Sequence, residues 1–160
     1  LHFTEELLQK IDAKGVNIIP VLLHISLGTF RPVSVEDLTR HRMDSEYYEV
    51  TPESSRAVND VIKNGGKIFA VGTTVVRTLE TVANFMGGVK FGRGWTDKFI
   101  YPPYNFKVVD HLITNFHQPC STLMMLVSAF TGRDLMLKSY RKAIRDEFRF
   151  FSYGDAQLYL

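Results

Sequence analysis

The chain has 160 residues, 45% of them hydrophobic, with 19 Lys and Arg against 17 Asp and Glu for a formal net charge of +2. That is enough apolar material for one domain with a real core, and no apolar run reaches the roughly 18 residues that span a bilayer. The near-balanced charge excludes a chain-wide polyanion binder, so any basic surface is local, and a single cysteine excludes a disulfide framework and a cysteine-rich metal site, in keeping with a reducing cytoplasm.

The chain opens on Leu1 rather than Met, with no signal-peptide pattern, and reads as cut from something longer. Thr4 is placed to cap a helix, with Glu5 and Glu6 in its positive first turn, Leu7, Leu8 and Ile11 on its apolar face, and Gly15 as its stop. VNIIPVLLH, 16–24, follows as a strand whose near-continuous apolar character predicts burial on both faces, with Pro20 placing part of it at an edge or bulge. SLGTFRPV, 26–33, reads as a loop, and 46–50 as a short strand. Thr51-Pro52-Glu53 starts a second helix, which Gly65-Gly66 stops. KIFAVG, 67–72, is a buried strand and TTVVRTLETVANF, 73–85, a helix ending near Gly87-Gly88. FGRGW, 91–95, is a glycine-rich loop. TDKFIYP, 96–102, and VVDHLITN, 108–115, read as two strands. Ser121 caps a helix that Gly132 ends, Asp134 opens a last helix to Phe148, and DAQLYL closes as a strand. Helices alternate with apolar strands and no period repeats, which predicts one α/β layered domain over 1–160 with a mixed sheet.

Two corners carry most of the polar chemistry. AVGTTVVR, 70–77, is strand, glycine, helix. Gly72 admits close backbone approach, and Thr73 and Thr74 offer hydroxyls and free N–H groups at a positive helix start. Such corners bind phosphates, carboxylates or ribose hydroxyls at strand ends. A plain βα turn capped by Thr73 has the same pattern, and the GxxxxGK[ST] phosphate loop is absent. TNFHQPCSTL, 114–123, repeats the architecture with His117 on the loop after a buried strand. Cys120 is either a nucleophile activated by the helix N-terminus and His117, or a small filler beside the cap Ser121.

Other candidates have equally plain alternatives. Asp97 and Asp110 flank strands, as bases or as turn and surface charge. Arg93 and Trp95 form either a base-stacking pair or a hairpin tip. Lys138, Arg141, Lys142, Arg145 and Arg149 fall on one stripe of the last helix, able to track a phosphate backbone or simply to face solvent. Leu137, Tyr140, Ile144 and Phe148 form its core stripe. HRMDSEYYEV, 41–50, has one histidine and no second at i+3 or i+4, which excludes a metal set there.

Taken together and in order, LHFTEELL, LLHISLGTFRPV, HRMDSEYYEV, AVGTTVVRTLE, GWTDKFIYPPYNFKVVDHLITNFHQPCSTLMMLVSAFTG and YRKAIRDEFRFFSYGDA resemble the carboxyl-terminal half of the S-adenosylmethionine:tRNA ribosyltransferase-isomerases of queuosine biosynthesis. The resemblance implies a Rossmann-like α/β domain whose companion, an inserted β-barrel, is absent here. It implies transfer and isomerisation of the ribosyl moiety of S-adenosylmethionine onto 7-aminomethyl-7-deazaguanine at the tRNA wobble position, giving epoxyqueuosine, adenine and methionine. No metal is implied, and a cytoplasmic monomer is expected.

On that basis His117 is the first choice for acid–base work, with Asp97 and Asp155 as base or as partner of the sulfonium or the methionine amine. Thr73 and Thr74, with Gly72, Arg77, Tyr101, Ser121 and Thr122, are expected to hold substrate. Thr29, Phe30 and Arg31 are expected wall residues, Phe151 and Tyr153 stacking rings, and Lys138, Arg141, Lys142 and Arg145 the tRNA contacts. Two positions depart from the family pattern. Cys120 stands where a basic residue is common, against a thiol nucleophile, and Asp44 stands where a histidine is expected. The competing readings are a non-catalytic nucleotide- or RNA-binding module and a Cys–His hydrolase.

Overall fold

The computed structural model describes residues 2–26, 33 and 37–160. In chain order the elements are α1 (Glu5–Asp12), β1 (Leu22–His24), a 3-10 turn (Leu38–Arg40), β2 (Glu46–Val50), α2 (Pro52–Lys63), β3 (Phe69–Val71), α3 (Thr73–Val82), β4 (Gly92–Thr96), β5 (His111–Asn115), α4 (Thr122–Thr131), α5 (Arg133–Arg145) and β6 (Ala156–Tyr159). Three helix starts follow the expected caps, whereas α5 starts at Arg133, ahead of Asp134, with Gly132 at its N-cap and no side-chain cap. The hydroxyls of Thr4, Thr51 and Ser121 accept from the N–H of Leu7, Ser54 and Met124 at 3.1–3.2 Å, satisfying donors that the helix leaves orphaned.

The described strands form two open three-stranded sheets. One is antiparallel, in the order β1-β2-β4; the other is mixed, in the order β3-β5-β6, with β3 parallel and β6 antiparallel to β5. The α/β architecture with a mixed sheet is as expected. Ala70, Leu112 and Tyr159 form one register row of the mixed sheet, at 0%, 0% and 8% exposure. They pack with Val76 and Leu79 of α3, Leu126 and Val127 of α4, and Met136 and Tyr140 of α5 in one core.

Several expectations are corrected. Of residues 16–24 only 22–24 join a ladder, and Val16, Ile18 and Leu22 are half-exposed. β1 is an edge strand paired with β2 alone, and the carbonyl of Pro20, which lacks an N–H, accepts from Ser54 Oγ instead. β3 is likewise buried on one face only, since Phe69 and Val71 flank buried Ala70 and are each 47% exposed. FGRGW is not a loop: Gly92–Thr96 pairs with β2, and the ring of Tyr48 lies over Gly94 and covers its missing side chain.

Residues 97–110 are not strand. The N–H groups of Val108 and Val109, which a ladder would use, go to the Glu80 carboxylate at 3.0 and 3.3 Å. The core stripe of α5 is Met136, Tyr140 and Ala143; Ile144 and Phe148 are 66% and 44% exposed. The helix ends at Arg145, with Glu147 at φ 58° turning the chain away before Phe148 can continue the stripe.

A cleft at the ends of the parallel strands

A cleft of about 510 Å³ opens beyond the carboxyl ends of β3 and β5, where open α/β sheets bind ligands. Its lining comes from both corners singled out in the sequence. Gly72, Thr73, Thr74 and Val75 come from the start of α3, Thr114 to Gln118 and Ser121 from the β5–α4 corner, and Phe151 and Ser152 from the turn before β6. Leu23, Ile25, Val71 and Leu123 add apolar wall.

Each corner is shaped by the local backbone. Gly72, at φ 98°, takes a left-handed conformation that suits glycine, and its N–H donates to the carbonyl of Ile113 at 2.8 Å. No side chain caps α3, so its first-turn N–H groups stand at the cleft with the positive end of the helix. Ser121 Oγ donates to the carbonyl of Gln118 at 2.8 Å while accepting from α4. Phe151, at φ 69°, is held by its N–H to the carbonyl of Phe116 at 2.9 Å.

His117 is buried at the back of this corner. Its Nε2 is 3.0 Å from Thr114 Oγ1, and its backbone N–H donates to Tyr140 Oη at 2.9 Å. Burial pushes the imidazole down to about 4, so near pH 7 it is neutral and offers one donor and one acceptor nitrogen. The unfolded chain therefore takes up this proton first as pH falls below the ordinary value near 6.5. Stability is lost through the window down to about pH 4, by roughly 2–3 kcal/mol at pH 4.5. His117→Gln is expected to remove that part of the acid sensitivity. Urea denaturation at pH 7 and 4.5 checks it, the wild type losing more than the variant by that amount.

Of the expected site residues, the cleft gathers Gly72, Thr73, Thr74, His117, Ser121 and Phe151. Others lie elsewhere. Arg77 is buried against Glu46, Nη1 to Oε2 at 2.7 Å. Asp155 accepts from the Arg149 N–H and guanidinium at 2.8 and 3.0 Å, and so braces the turn that carries Phe151. Asp97 is exposed just after β4, Tyr101 packs on Phe99, Thr122 is buried in the first turn of α4, and Tyr153 is 85% exposed. Thr29, Phe30 and Arg31 lie outside the described residues. Lys138 and Arg141 stand exposed on α5, while Lys142 and Arg145 both pair with Asp146. Asp110 holds the Lys67 ammonium and the Ile68 N–H.

Cys120 adopts a left-handed φ of 56°, and its carbonyl accepts from the Val33 N–H at 2.7 Å. It is exposed and outside the cleft lining. Arg93 and Trp95 lie on β4, with Trp95 edge-on to Tyr47 and Tyr47 to His24. Leu23, Ile25, Asn115 and Gln118 were not expected in the lining. The signal for the first two was the apolar run ending immediately before the LGTF segment. Among the described residues no three of His, Cys, Asp and Glu cluster as a metal set, and no helix is long and apolar enough to cross a membrane.

Comparison with known proteins gives these geometries a context. The family described as "Queuosine biosynthesis protein" matches residues 1–159. The S-adenosylmethionine:tRNA ribosyltransferase-isomerase of Symbiobacterium thermophilum is 59% identical over all of this chain and 47% of its own length. That of Chloroherpeton thalassium is 57% identical over 99% of this chain and 46% of its own. The crystal structure of the S-adenosylmethionine tRNA ribosyltransferase of Thermotoga maritima superposes with a TM-score of 0.82 at 45% identity, covering 99% of this chain and 50% of that one. The chain thus spans about half the length of these relatives. It belongs to the queuosine biosynthesis protein family.

Proposed function

We propose that the protein carrying these residues transfers and isomerises the ribosyl moiety of S-adenosylmethionine onto 7-aminomethyl-7-deazaguanine in tRNA. The observation that carries the reading is the joining of the Gly72–Thr74 corner and the His117 corner in one cleft, in a chain of this family.

The sulfonium acidifies the neighbouring ribose methylene, so the reaction begins with loss of a proton there. The first-turn N–H groups of α3 and the hydroxyls of Thr73 and Thr74 suit the methionine carboxylate or a ribose hydroxyl. Leu23, Ile25 and Phe151 supply apolar surface for a ring. His117, neutral through burial, serves as a hydrogen-bond partner or proton acceptor. Protonating it at pH 7 is costly, so it is a weak source of the proton that departing adenine takes. Asp97 and Asp155, both outside the lining, act at the margin of the site. Lys138 and Arg141 on α5 offer phosphate contacts, with Lys142 and Arg145 partly neutralised by Asp146. Binding through them weakens as salt rises.

The test is direct. The protein as its genome encodes it is incubated with S-adenosylmethionine and a tRNA bearing the aminomethyl-deazaguanine, and adenine, methionine and the modified nucleoside are quantified. One adenine and one methionine per epoxyqueuosine is the expected result. A folded protein that binds tRNA and releases no adenine would sink the reading and leave a binding module.

A further inference from the structure

Arg77 lies one turn behind Thr73 and Thr74 on α3 and is 2% exposed. Its guanidinium reaches three acceptors. Nη1 donates to Glu46 Oε2 at 2.7 Å, Nε to the carbonyl of Lys98 at 3.0 Å, and Nη2 to the carbonyl of Thr96 at 3.2 Å. Glu46, 1% exposed at the start of β2, accepts the Ser26 N–H on its other oxygen at 3.1 Å. Besides β2, which carries Glu46, three pieces distant in sequence therefore meet at one ion pair. They are the helix whose first turn lines the cleft, the end of β1 that supplies Leu23 and Ile25, and the turn after β4 that carries Asp97.

A buried ion pair is poorly explained by stability alone, because desolvating two charges offsets most of their attraction. What this one does supply is register. A guanidinium is a planar fork with fixed donor directions, and here two directions close on the 96–98 turn and the third on Glu46 of β2. We propose that the Glu46–Arg77 pair is the positioning element of the cleft. It fixes the end of β1 and the 96–98 turn against the first turn of α3, and Arg77 acts through these segments without touching the ligand. The kinetic part of this proposal rests on the ribosyl-transfer reading; the structural part does not.

Two conservative variants test it. Arg77→Lys keeps the charge and loses the fork. Glu46→Gln keeps an acceptor for Ser26 and loses the charge. Amide hydrogen exchange is measured on each folded variant, together with kcat and KM for adenine release at a temperature well below unfolding. Exchange across 96–98 in both variants, and at Ser26 in Arg77→Lys, is expected to accelerate at least about tenfold, with the β5–β6 ladder unchanged. The ratio kcat/KM should fall at least about tenfold, mostly in kcat, because misplaced walls disturb the reacting geometry.

Unchanged exchange in these segments overturns the proposal. So does uniform acceleration that includes β5–β6, which marks a general loss of stability. A rise in KM alone with exchange unchanged also overturns it and returns Arg77 to direct substrate contact. If the wild type itself releases no adenine, the ribosyl-transfer reading falls, and the exchange data still decide the positioning role.

Discussion

Glu80→Ala is expected to cost the protein about 3–5 kcal/mol of stability, because it strips the acceptor from a whole loop. The carboxylate is 2% exposed and receives the Tyr104 hydroxyl at 3.1 Å and the N–H groups of Lys107, Val108 and Val109. Val108 and Val109 are buried, so their orphaned N–H groups would each cost about 1–3 kcal/mol. Lys107 is exposed, and water can replace its lost bond. Glu80→Gln keeps one carbonyl oxygen but turns an NH₂ toward the same donors, and should fall between the wild type and alanine. Urea denaturation of the three proteins measures it. A loss under about 1 kcal/mol for Glu80→Ala would mean the 104–109 loop is held without the carboxylate.

Arg77→Met is expected to be comparably damaging, at about 3–5 kcal/mol, because it leaves the Glu46 carboxylate buried without its cation. Adding Glu46→Met should recover part of that loss rather than deepen it, since the stranded charge is then gone. Recovery stays incomplete because the Ser26 N–H and the carbonyls of Thr96 and Lys98 lose their partners in the double variant. The four proteins form a double-mutant cycle read by denaturant unfolding. A double variant less stable than Arg77→Met would show that desolvation of the pair is not the dominant cost.

These two residues also mark where the sequence was readable and where it was not. The helix starts were legible because a cap is local: Thr4, Thr51 and Ser121 each stand three residues before the N–H they receive. The two cleft corners were legible for the same reason, as strand, polar turn and helix written consecutively. The apolar periodicity of 73–85 found α3, which ends at Val82, but gave no hint that Arg77 and Glu80 turn inward, because their partners lie 19–31 and 24–29 residues away. Placed next to the GTT corner, Arg77 read as a substrate contact; its buried partners belong to β2 and the 96–98 turn. The apolar runs at 16–24 and 67–72 announced burial on both faces, yet β1 and β3 are edge strands, and which strand lies at an edge is decided by pairing across the whole chain. Asp155 also closes the 149–155 turn, a local role that its place in the sequence did not announce. The FGRGW glycines looked like a loop because glycine is rare in strands, and the compensating ring, Tyr48, is on another strand.

The outer row of β4 has a practical consequence. Trp95 is the single tryptophan of the sequence, 67% exposed, edge-on to Tyr47 and one residue from the Thr96 carbonyl that Arg77 holds. Within these 160 residues tryptophan fluorescence therefore has one origin, at the end of β4 beside the turn bearing Asp97. Trp95 is thus a built-in reporter next to the Thr96 carbonyl that Arg77 holds. Emission and acrylamide quenching of the native chain would follow ligand binding with no dye attached.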